Sequence, residues 1–146
     1  MFGSLFESKN QKLVHKWEKE HKEIVRLATT IIEAYEENDQ DTAKQAMKAL
    51  NILAVDHVMD EDLKLFNLMK EESDKIDTIT QRIAEDFIQT FKHTKVSLMN
   101  FLAKYAHPDV PLDAKFYMTF KELVDILAQR ISFEESNLYS KLDKGK

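Results

Sequence analysis

The sequence predicts an all-α fold, an up-down-up-down antiparallel four-helix bundle, and three observations carry that prediction. Only 2 Gly and 2 Pro occur in 146 residues, so few positions break a helix. Hydrophobic residues make up 43% of the chain and charged residues 32%, the mixture that amphipathic helices need. Apolar residues recur by threes and fours in four long stretches with short polar connectors, and short connections favour antiparallel neighbours.

The first helix is expected over 12–37. Val14, Trp17, Ile24, Ala28, Ile31 and Tyr35 share one face, and His21 fills the gap between Trp17 and Ile24. The polar run from Glu36 to Gln40 makes a turn, and Asp41 is the expected N-cap of a second helix over 41–70. Its inward ladder is Leu50, Ala54, His57, Glu61, Leu65 and Leu68. After a charged connector from Glu71 to Asp77, residues Ile76, Ile83, Phe87, Phe91, Leu98, Phe101 and Tyr105 outline a third helix over 77–106. Pro108 and Pro111 end it, because proline disfavours helical geometry in the residue before it. Asp113 caps a fourth helix over 113–142, whose face reads Phe116, Phe120, Leu123, Leu127, Ile131, Leu138 and Leu142. One domain, 1–146, accommodates all four, with length enough to bury roughly two-thirds of the unfolded surface.

Composition removes several function classes. The net charge of -5 and pI near 5.6 leave no basic footprint for nucleic acid. With no Cys, disulfides, thiolate zinc sites and thiol catalysis are excluded, and His and carboxylate remain as metal ligands. Two glycines cannot build a phosphate-cradling loop or a dinucleotide fingerprint, and no Ser/His/Asp pattern stands out. No apolar run approaches the ~18 residues of a membrane span, and Met1 to Asn10 lacks a basic segment followed by an apolar one. The expectation is a cytoplasmic chain with neither membrane nor nucleic acid as partner.

A two-fold repeat underlies the pattern. HVMDEDLKLF, His57 to Phe66, aligns without a gap with RISFEESNLY, Arg130 to Tyr139. Glu61 matches Glu134, Asp62 matches Glu135, Leu65 matches Leu138 and Phe66 matches Tyr139, whereas His57 is matched by Arg130. His57 and Glu61, four residues apart, lie on one helical face and can reach a single ion between helices. His21 lies about as far before the first turn as His57 lies after it, so antiparallel packing sets both at one level, and the repeat puts Glu134 at a similar depth. Imidazole with carboxylate suits iron, with manganese or zinc as competitors.

An inward His on the first helix, HxxxE at His57–Glu61 and the EExxLY ending from Glu134 to Tyr139 together resemble the hemerythrin-like (HHE cation-binding) family, across essentially the whole chain. The resemblance implies a bundle holding one or two non-haem irons bridged by carboxylates, and a role in binding or sensing oxygen or a related diatomic or redox signal. Residue by residue it implies His21, His57 and Glu61 as ligands, with Glu134 or Glu135 as the second bridging carboxylate. The family's fourth-helix His is Arg130 here, and its third-helix His falls on Thr94, beside His93. Stepping about 100° per residue turns His93 away from the face marked by Phe87, Phe91 and Leu98, so it joins the candidate ligands only if a bulge or twist redirects it. A guanidinium cannot ligate a cation and repels one. Arg130 is therefore expected to substitute for the second ion by pairing with Glu134 or Glu61, leaving a half-site or a metal-free core.

Two rival classes stay open at this stage. Related carboxylate-bridged bundles are enzymes that reduce peroxide or oxidise ferrous iron, and a metal-free bundle can serve as a protein-interaction or sensor module. The plainer reading of each residue also stands: single histidines on helices are commonly hydrogen-bonded core residues, and acids are commonly solvated. His15 and His107 read as surface residues, the aromatics as core, and the six Met as gap-filling core residues.

Overall fold

The computed structural model describes residues 9–71 and 78–139, and within them the side chains of Leu65, Leu68, Ile83, Phe87, Phe91, His93 and Leu138 lie outside the described residues, as do Ile76 and Leu142 entirely. Four helices follow one another: α1 (Lys9–Glu36), α2 (Gln40–Glu71), α3 (Thr78–Ala106) and α4 (Ala114–Phe133). No strand occurs among the described residues. The helices run antiparallel in sequence around a ring, as the cross-helix contacts show. Lys16 and Trp17 meet Asp60 while Glu20 meets His57; Lys44 meets Tyr105; Phe101 meets Phe116 and Phe120; and Tyr35 meets Phe116 and Tyr117.

The first turn is tight because Asn38 adopts a left-handed φ of 60°, which asparagine tolerates better than most residues. Asp39 N–H then bonds Ala34 O at 2.8 Å and Asn38 N–H bonds Tyr35 O at 3.0 Å, the pairing of a Schellman C-cap. This turn is shorter than the sequence suggests. The N-cap of α2 is Asp39, whose carboxylate accepts from Thr42 N at 3.1 Å, and the expected cap Asp41 lies inside the first turn, where its charge suits the helix dipole. Asp113 caps α4 as its sequence context predicts, accepting from Phe116 N at 2.8 Å.

The hydrophobic core fills the part of the bundle nearest the α1–α2 and α3–α4 turns. Ile24 to Ala34, Ala43 to Ala54, Leu98 to Tyr105 and Phe116 with Phe120 contribute to it. Phe101, Phe116 and Phe120 stack with centroids 5.4–6.2 Å apart, a spacing at which aromatic pairs attract beyond simple burial. The next layer along the helices is polar: His21, His57, Glu61, Arg130 and Glu134 are all buried. Here α4 changes winding. The sequence pattern predicts one helix to 142, but residues Glu134–Tyr139 form a π-helical turn, so the chain holds i→i+5 geometry where the polar layer begins.

Candidate metal centre

Helices α1, α2 and α4 deliver polar groups on the stripe that otherwise faces the core. His21 follows Trp17 by one turn on α1, and His57 and Glu61 are one turn apart on α2 beyond Leu50 and Ala54. Arg130 lies in the last turn of α4, and Glu134, four residues on, opens the π turn. A buried charge without a partner is costly, so these five residues must satisfy one another or an ion.

Their atoms converge. His21 Nε2 lies 3.5 Å from Glu61 Oε2 and 3.4 Å from Glu134 Oε1, and His57 Nε2 lies 3.3 Å from the same Glu61 Oε2. The two imidazole centroids are 4.6 Å apart, and donor atoms of His21, His57 and Glu61 all fall within 4.8 Å of one another. On the other side, Arg130 Nη2 donates to Glu61 Oε1 at 3.3 Å and Arg130 Nε donates to Glu134 Oε2 at 3.1 Å. Each inner carboxylate thus turns one oxygen to the imidazoles and the other to the guanidinium. The outer ring nitrogens are also engaged: Nδ1 of His21 lies 3.0 Å from Glu135 Oε2, and Nδ1 of His57 lies 2.8 Å from Glu20 Oε1.

The electrostatics follow from this crowding. Burial alone would lower the His21 pKa, but bonds to Glu134, Glu61 and Glu135 outweigh it and raise it to about 10. His57 is raised in the same manner by Glu61 and Glu20, against burial and the His21 charge. Burial pushes Glu134 up to about 7, and its hydrogen bond with Glu61 adds to that, against His21 and Arg130. Glu61 is held well below the usual range despite burial, by bonds from Glu134, His21 and His57. Without an ion, the surrounding carboxylates favour the protonated form of both rings, and Glu134 holds its proton more tightly than an ordinary carboxyl.

Comparison with protein families matches residues 12–142 to the hemerythrin HHE cation binding domain. The chain belongs to the hemerythrin HHE cation-binding family. No protein of curated function and no solved structure matches it. Membership makes cation binding the property to test against the geometry, and the donor set of this HHE domain suits one ion. Ligand atoms roughly 2.1 Å from a shared centre, at right to tetrahedral angles, stand roughly 3.0–3.4 Å apart. The imidazole-to-carboxylate separations of 3.3–3.5 Å lie at the upper end of that spacing. The same residues do not suit a second ion, because Arg130 brings a fixed cation to the carboxylate oxygens that face away from the imidazoles.

The structure therefore brings together His21, His57, Glu61, Glu134, Arg130 and Glu135 from the sequence reading of this HHE chain. It separates the two acids offered as alternatives: Glu134 faces the centre, and Glu135 braces His21 from outside. His93 belongs to α3, and its side chain lies outside the described residues. Glu20 was not foreseen. It stands beside His21 on α1 among alternating charges, and no spacing rule distinguishes it from Glu18 or Glu23 as a partner for His57 on the next helix. Beside the donors lies a cavity of about 10 Å³, at the lower limit of the room one water molecule needs. Ile24, Ala54, Val58, Leu127 and Ile131 supply its apolar wall. No helix among the described residues is long and apolar enough to cross a membrane.

Proposed function

We propose that this HHE domain holds one metal ion, iron by the character of its donors, and binds or senses a small diatomic ligand such as oxygen or a related redox signal. The observation that carries the reading is the convergence of both Nε2 atoms on Glu61 Oε2, with Glu134 Oε1 joining at His21. Nitrogen and oxygen donors together suit iron, with manganese and zinc as the alternatives. His21 and His57 would hold the ion through Nε2, Glu61 and Glu134 through one oxygen each, while Arg130 neutralises the opposite oxygens. An iron ion bound there supplies an open coordination position and a one-electron couple. The cavity beside the donors is small enough to favour a ligand of very few atoms over a larger one.

Anaerobic reconstitution with ferrous iron, followed by metal analysis and optical spectra under nitric oxide and oxygen, tests this. One iron per chain and a ligand-dependent spectrum lost in His57→Ala are expected. Two irons per chain overturn the one-ion reading, and no uptake overturns the metal reading altogether.

A second reading, a metal-free bundle acting in protein interaction, has one observation in its favour: Arg130, His21 and His57 already pair with both inner carboxylates. Thermal stability indifferent to added metal and to chelator selects it, because an ion bound only by the folded state must stabilise that state.

A further inference from the structure

We propose that Glu20 and Glu135 are positioning residues for the metal centre, each fixing the tautomer and ring orientation of an imidazole carried by another helix. The proposal rests on the one-ion reading and adds to it two residues that touch no ion. Glu20 on α1 reaches His57 on α2 at 2.8 Å, and Glu135 in the π turn reaches His21 on α1 at 3.0 Å. An ionised carboxylate only accepts hydrogen bonds, so in each contact Nδ1 carries the proton and donates. A neutral ring with its proton on Nδ1 has its lone pair on Nε2, and in both rings Nε2 is the atom facing Glu61. Donating that hydrogen bond to a carboxylate also makes the ring a stronger ligand for a cation through Nε2.

The arrangement is crosswise. Glu20 and His21 are neighbours on α1, yet one braces α2 and the other is braced from the end of α4. The π turn contributes directly: Glu134 and Glu135 are consecutive, and they reach Nε2 and Nδ1 of the same ring. A π turn has more residues per turn than an α-helix, so consecutive side chains diverge less and both can meet His21. The side chains of Glu20 and Glu135 remain 23% and 38% exposed, against 4% and 3% for the rings they hold. Replacing them therefore removes the hydrogen bond without opening the core.

Cobalt(II) is the probe, because ring N–H protons of bound imidazoles give exchangeable, strongly shifted proton resonances near a paramagnetic ion. Wild-type protein loaded with cobalt is expected to give two such signals. Glu20→Leu should lose one and Glu135→Leu the other, with cobalt affinity falling about 10–100-fold in each. Glu20→Gln and Glu135→Gln keep an accepting oxygen, and should keep both signals and recover most of the affinity. If both Leu variants retain two signals and wild-type affinity, the positioning role is overturned while the one-ion reading stands. If the wild type takes up no cobalt, both are overturned.

Discussion

The two halves of the bundle carry the same motif and do opposite things with it. On α2, His57 and Glu61 are four residues apart with Nε2 3.3 Å from Oε2; on α4 and its π turn, Arg130 and Glu134 are four residues apart with Nε 3.1 Å from Oε2. The carboxylates are equivalent in place and depth, and the exchange of imidazole for guanidinium makes the difference. His57 can give up its proton and offer a lone pair; Arg130 cannot, and keeps its charge at any pH the fold survives. One half is thus a ligand set that competes between protons and a metal, and the other is a permanent counter-charge.

The sharpest way to break the comparison is to remove each partner in turn. His57→Ala should reduce iron affinity by more than the about 100-fold that loss of an outer-shell partner costs, measured by competition with a chromophoric chelator. Arg130→Met should leave iron affinity equal or higher, since a repelling cation is gone. If both variants lose iron alike, the halves are not functionally distinct. The metal-free proteins should rank the other way. Arg130→Met leaves Glu61 and Glu134 buried without their fixed cation and should cost about 3–5 kcal/mol in urea unfolding, part of which added iron restores.

The pH dependence separates the halves again. His21 is raised from 6.5 to about 10, so its contribution to metal-free stability is complete below 6.5 and is lost as pH rises through about 10. Glu134, raised from 4.5 to about 7, acts in the same direction, losing its contribution as pH rises through about 7. Asp60 acts oppositely: lowered from 3.8 to about 2, chiefly by Lys64, Lys16 and Trp17 against burial, it stabilises above 3.8 and ceases to as pH falls through about 2. The melting temperature of the metal-free protein should therefore peak between about pH 3.8, above which Asp60 contributes in full, and pH 4.5, above which Glu134 begins to lose its contribution, and decline from there toward pH 10. An ion that displaces the protons on His21 and His57 reverses the slope, because its affinity rises with pH. Thermal scans with chelator and with one equivalent of zinc should show opposite trends across pH 6 to 8.

What the sequence disclosed divides along physical lines. The bundle was legible because helical periodicity and scarce Gly and Pro are properties of long stretches, which average over local exceptions. His57 with Glu61 and Arg130 with Glu134 were legible because an i,i+4 relation is intrinsic to one helix, and the repeat carried it from α2 to α4. Glu20 was not, since its contact with His57 depends on how α1 lies against α2 and on one rotamer. The π turn was equally hidden: nothing in Glu134 to Tyr139 disfavours an α-helix, and the widened winding is identified only by its hydrogen bonds. Asp41 was mistaken for the cap in place of Asp39 because the length of the first turn depends on the single left-handed residue Asn38.

The smallest effect is also a control on the comparison. The two halves begin their second helices alike: Asp39 accepts from Thr42 N at 3.1 Å at the start of α2, and Asp113 accepts from Phe116 N at 2.8 Å at the start of α4. Asp39→Ala and Asp113→Ala remove the same kind of bond at corresponding places, each at a cost of about 1 kcal/mol in urea unfolding. Both caps are separated from the polar layer by the apolar core, so neither change should alter iron affinity or the pH of maximum stability. Equal losses would confine the asymmetry of the bundle to residues 57 and 130 and what they touch. If Asp113→Ala shifted metal binding while Asp39→Ala did not, α4 would be coupled to the site along its whole length, and the π turn that begins at Glu134 would be the element to examine for that coupling.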